Sequence, residues 1–129
     1  MSKLISIFLI LSTSSFAQTD FFKYSKSLDY AQVTDVKISK QDNNNYCFSV
    51  TVRHNDEGWD HYADGWEVLD MKGNLLGTRV LAHPHEHEQP FTRSKCGINI
   101  PKNISKVVVR AKCNKHGFGG KAHIVDIKN

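Results

Sequence analysis

Cysteine is scarce in this chain, and none of it is paired for chemistry. The three cysteines, Cys47, Cys96 and Cys113, form no CxxC. That excludes a zinc ribbon and a thioredoxin-type motif. Methionine is scarcer still, with Met71 alone after Met1, so a thioether-rich Cu(I) site is excluded. No G-x-S-x-G, HExxH or P-loop occurs, which removes common hydrolase, zincin and nucleotide-binding signatures. The absence of a DxDxDG-like loop disfavours calcium. Lys and Arg (17) exceed Asp and Glu (13) only mildly, and they are scattered with no run of five. That pattern fits a solvated surface and gives no footprint for nucleic acid. No segment carries a convincing helical period.

What is present begins with a leader. Lys3 supplies a positive start, 4–11 are almost wholly apolar, and 12–17 are small and mostly polar, with Ser15 and Ala17 in the spacing read by signal peptidase. The apolar run is well short of the roughly 20 residues that a membrane span requires. The expectation is a signal peptide over 1–17 and a single domain over 18–129, exported to a periplasm or the exterior, with no membrane span after cleavage. The residue after Ala17 is Gln18 and not Cys, so nothing there marks a lipid anchor.

Residues 18–129 read as short strands separated by turn residues. Tyr46, Phe48, Val50 and Val52 alternate with Cys47, Ser49, Thr51 and Arg53, the two-residue period of a half-buried strand. Asn43 and Asn44 mark a tight turn, since Asn tolerates positive φ. Gly73-Asn74 marks another. Strands are predicted near 32–39, 46–54, 61–70, 75–81, 91–100, 105–113 and 121–127. That predicts an all-β fold, an immunoglobulin- or fibronectin-III-like antiparallel β-sandwich of about seven strands. A barrel or jelly roll is the rival.

This strand order has a consequence for the seven histidines. In antiparallel succession, alternate connections share a pole. His54 and His61 flank one connection, His83, His85 and His87 lie in another, and His116 lies in a third. All three connections belong to the same pole. The opposite connections, 71–74 and 101–105, hold no histidine. Neutral imidazole is the commonest protein ligand for transition metals. In an extended segment, i and i+2 side chains point the same way, so His83-x-His85-x-His87 is expected to form the centre of the site. His54, His61 and His116 complete the candidate ligands. Asp56, Glu57, Asp60 and Glu88 are candidates to orient the imidazoles or add oxygen ligands. Imidazole-rich sites suit copper and zinc. His123 falls within a strand and is left out.

Trp66 reads as the core tryptophan. Trp59 reads as a cover for its loop, with a stacking platform for a sugar as the other reading. By alternation, Cys96 goes with Ile98 and Ile100, and Cys113 with Val107, Val109 and Ala111. Both are expected to face the core and to form a disulfide, leaving Cys47 unpaired.

The segment 55–64, NDEGWDHYAD, together with His83-Pro84-His85 and 88–94, EQPFTRS, resembles an uncharacterised family of small exported bacterial β-sandwich proteins. The resemblance covers most of 18–129. It implies a periplasmic or secreted β protein and assigns no catalytic residue.

Three functions are open at this point. The leading expectation is metal binding without catalysis, with Cu(II) or zinc as cofactor. The second is a recognition module in which Trp59, Tyr62 and Arg93 contact a glycan or another exported protein. The third is a metalloenzyme with three His ligands, an open metal position and Glu57 or Glu88 as general base.

Overall fold

The structure is a computed structural model that describes residues 23–128. The leader expected over 1–17 lies outside them. Eight strands follow in order: β1 (Gln32–Lys40), β2 (Asn45–Arg53), β3 (Ala63–Asp70), β4 (Leu75–Val80), β5 (Phe91–Asn99), β6 (Lys106–Cys113), β7 (Gly117–Phe118) and β8 (His123–Asp126). One sheet runs β1-β2-β5. The other runs β4-β3-β6, with β7 and β8 both pairing with β6. Every pairing is antiparallel. The chain is therefore the all-β sandwich that its turn spacing predicts. The extra strand is β7, a two-residue pairing inside what reads as a Gly-rich turn. No helix among the described residues is long and apolar enough to cross a membrane.

The core follows from alternation. Tyr46, Phe48, Val50 and Val52 of β2 point inward and are almost fully buried. They meet Trp66 and Val68 of β3 and Val107, Val109 and Ala111 of β6 in one cluster between the sheets. Burial of this apolar surface is the main force holding the two layers together. Asn43 and Asn44 adopt φ of 48° and 66°, the left-handed conformation that closes the β1–β2 hairpin.

Alternation fails at one place that matters. β2 and β5 slip register between Tyr46↔Ile98 and Phe48↔Lys95, and Gly97 takes φ +74°. This is a β-bulge, in which an extra residue shifts the side-chain phase. Ile98 is buried, but Cys96 faces out. Cys96 therefore meets Cys47 across the outer face of the sheet, and these two form the disulfide. The expected Cys96–Cys113 bond is incorrect. β5 and β6 belong to opposite sheets, and Cys113 is a buried free thiol.

Candidate metal site

Three connections meet at one pole, as strand order requires. Asn114 fastens two of them: its Oδ1 accepts from the Tyr62 N–H, its own N–H donates to the Tyr62 carbonyl, and its Nδ2 donates to the Trp59 carbonyl. Asp56 fastens the third, accepting from the His85 N–H at 2.7 Å. The Gln89 side chain accepts from the His54 N–H at 3.0 Å.

Between these loops lie His54, His61 and Cys113, with potential ligand atoms all within 4.8 Å of one another. Their exposures are 1%, 5% and 2%, so the group is sealed from bulk water. His54 is positioned by the end of β2, Cys113 by the end of β6, and His61 by a tight loop before β3. That loop closes through Glu57 N–H to the His61 carbonyl and His61 N–H to the Gly58 carbonyl. Gly58 sits at φ +85°, a conformation that favours glycine.

The two imidazoles are oriented in the same manner. His54 Nδ1 lies 2.6 Å from Asp56 Oδ1, and His61 Nδ1 lies 2.8 Å from Glu57 Oε1. An ionised carboxylate only accepts hydrogen bonds, so both rings carry their proton on Nδ1 when neutral. Both Nε2 lone pairs then face the interior of the group. This carboxylate–imidazole arrangement fixes the tautomer of metal-ligating histidines and raises their basicity. The rings of His54 and His61 meet edge to face at 4.7 Å.

Burial alone would raise the Asp56 pKa. The hydrogen bonds from His54, His85 and Ala63, with attraction from the His54 ring, outweigh it and hold the carboxyl below its ordinary value. Asp56 is therefore an anion at neutral pH with three partners, and it links the imidazole to the 81–90 connection.

Cys113 Sγ accepts the His116 N–H at 3.1 Å. The thiolate is the metal-binding form of cysteine. The exposed His116 ring packs edge-on against His61 at 5.0 Å.

The structure does not bring His83, His85 and His87 into this group. Their segment is a looped turn in which the His83 and His85 rings do meet, 4.5 Å apart, but outside the group of His54, His61 and Cys113. His85 is buried, stacked on Phe91 at 3.9 Å, and its Nε2 faces Arg93 Nη2 at 3.0 Å. Burial, followed by repulsion from Arg93 and His83, lowers its pKa against weaker attraction from Asp56 and Glu88, keeping the ring neutral. His83 Nδ1 reaches the Pro84 carbonyl, and His87 is exposed. Glu88 pairs with Arg93 at 3.3 Å, and Asp60 is exposed in its loop. His123 is half-buried on β8 opposite Val109.

Trp59 corrects another expectation. It does not cover its loop but is 66% exposed, edge-on to Tyr62 at 5.6 Å. Cys113 is the candidate site residue that sequence reasoning missed. The available signal was its spacing from His116, C-x-x-H at a strand end.

Over 99 residues, 77% of the chain, the sequence is 42% identical to a protein of Halomicrobium mukohataei named "Putative lipoprotein". The chain spans about half (48%) of the length of that relative. No protein-family model matches the chain, and no solved structure matches it.

Proposed function

We propose that this chain is an exported protein that binds a single transition-metal ion through His54 Nε2, His61 Nε2 and Cys113 Sγ. The observation that carries the reading is the pair of carboxylates behind the imidazoles. Asp56 and Glu57 each hold one Nδ1, which leaves two Nε2 lone pairs and a thiol turned toward one point. Carboxylates in this position fix the tautomer and orientation of metal-ligating histidines. Thiolate and imidazole together suit copper and zinc, and imidazole also suits iron. The burial of the donors favours retention of the ion over turnover of a substrate. Glu57, a candidate base in the enzyme reading, is engaged by His61.

Export is supported by three independent features: the leader-like 1–17 segment, the Cys47–Cys96 disulfide, which belongs to oxidising compartments, and the name of the relative. A recognition role at the same pole draws support from exposed Trp59 and its neighbour Tyr62, since aromatic platforms of this kind stack on sugars or anchor interfaces.

The test is metal content. Protein purified from the exported fraction should carry about one equivalent of a transition metal by mass spectrometry, as expected for one closed site. The His54→Ala/His61→Ala double variant should carry none while remaining folded by circular dichroism. Equal metal in both proteins would reject the site.

A further inference from the structure

A fourth potential ligand atom lies beside the three side chains, and it belongs to the backbone. The Asp29 carbonyl oxygen is 3.2 Å from His54 Nε2, 3.3 Å from His61 Nε2 and 3.4 Å from Cys113 Sγ. A carbonyl oxygen has two lone pairs and no proton to give. When the two rings are neutral with Nδ1 protonated, their Nε2 lone pairs face the lone pairs of this oxygen. Protons on the rings and on the thiol can bridge these contacts as hydrogen bonds, and a metal ion that displaces them would find the same four atoms around it.

The distances to the Asp29 oxygen also have the right size, while the side-chain donors lie within 4.8 Å of one another. In tetrahedral coordination with bonds of about 2.0–2.3 Å, ligand atoms stand roughly 3.3–3.8 Å apart. The three edges leading to the Asp29 oxygen fall at or near the short end of that range. Main-chain oxygen is a known axial donor in His2Cys copper sites.

Asp29 is carried by the segment 23–30, which precedes β1 and crosses the pole as a strap. The strap is tied down at several points. Ser25 N–H donates to the Gly119 carbonyl, and Asn55 N–H donates to the Leu28 carbonyl. Buried Gln32 acts as a latch: its Nε2 lies 2.9, 3.0 and 3.2 Å from the carbonyls of Ser25, Ser27 and Tyr30, while its Oε1 accepts from the Lys121 N–H. Tyr30 packs so closely on Gly119 that a Cβ there would stand 2.5 Å from its ring.

We infer that the Asp29 main-chain carbonyl is the fourth metal ligand, delivered by the 23–30 strap, so that strap closure and metal retention are one event. The inference rests on the His54/His61/Cys113 site proposed above. Gln32 is a positioning residue: it touches no donor atom of the site but holds the carbonyls on either side of Asp29.

The experiment uses the mature chain with zinc alone, followed by hydrogen exchange and by NMR of protein carrying 13C-labelled carbonyls. With zinc at 100 times its Kd, exchange at 28–30 should slow by up to about 100-fold, and the Asp29 carbonyl resonance should move. Gln32→Ala should speed zinc release to a chelator by at least tenfold, a loss of about 1.4 kcal/mol in the barrier, while the thiolate–metal absorption of the cobalt-loaded form persists. Stoichiometric zinc binding with unchanged exchange at 28–30 and an unmoved Asp29 carbonyl overturns the strap ligand and leaves the three-residue site standing. Absence of stoichiometric binding overturns the metal site itself.

Discussion

Replacing Cys113 with serine should weaken zinc or copper binding by at least about 100-fold, since changing a residue that merely supports a ligand already costs 10–100-fold. The substitution keeps the side chain's size and its position at the end of β6, so the fold should survive. The matching control is the His83→Ala/His85→Ala/His87→Ala triple variant. Those side chains lie outside the group that holds His54, His61 and Cys113, so the affinity of the triple variant should stay within a few-fold of the parent. Chelator competition reads both. If the triple variant loses the metal and Cys113→Ser keeps it, the ligand set is the His-x-His-x-His loop and the assignment to Cys113 is wrong.

The second large effect concerns the other two cysteines. The Cys47–Cys96 bond closes a loop with a sequence separation of 49. Chain-entropy reasoning gives such a cross-link up to about 4 kcal/mol of stability, through restriction of the unfolded chain. Cys47→Ala/Cys96→Ala should therefore lower the unfolding free energy by roughly 2–4 kcal/mol in urea. Both sulfurs sit on the outer face of the β1-β2-β5 sheet, away from the buried cluster. Metal stoichiometry of the folded double variant should be unchanged. A loss below 1 kcal/mol, or loss of metal from the folded protein, would contradict this separation of roles.

The same residues explain how far the sequence could be read. β2 was legible because every second residue from Tyr46 to Val52 is large and apolar, and one buried face dictates that pattern. The β1–β2 turn was legible because Asn43 and Asn44 take the positive φ that turns demand. The convergence of three loops followed from strand order alone. What strand order cannot supply is phase. A single bulge at Gly97 turned Cys96 outward and broke the extrapolation from Ile98. His83, His85 and His87 were expected to form the centre of the site; the His83 and His85 rings do meet, but in a turn where His85 folds inward against Phe91, apart from His54, His61 and Cys113. Asp29 carries no side-chain signal for its contact, because the group involved is a main-chain carbonyl that every residue has. The segment 21–30, aromatic and without period, gave no reason to expect a strap.

The proposed site has a simple logic. Strand ends fix His54 and Cys113, a glycine-bearing loop fixes His61, and two carboxylates set the tautomers. The flexible-looking loop with the most histidines contributes Asp56's third hydrogen bond, through the His85 backbone.

The most direct test is a cobalt titration of the reduced-thiol, metal-free protein. Co(II) in a tetrahedral site with one thiolate gives a sulfur-to-metal charge-transfer band in the near ultraviolet and strong visible d–d bands. The account predicts that these rise together and saturate at one equivalent, and that zinc then bleaches them. Weak, octahedral-type visible absorption with no charge-transfer band would mean that Cys113 does not bind the metal, and the central claim would fail.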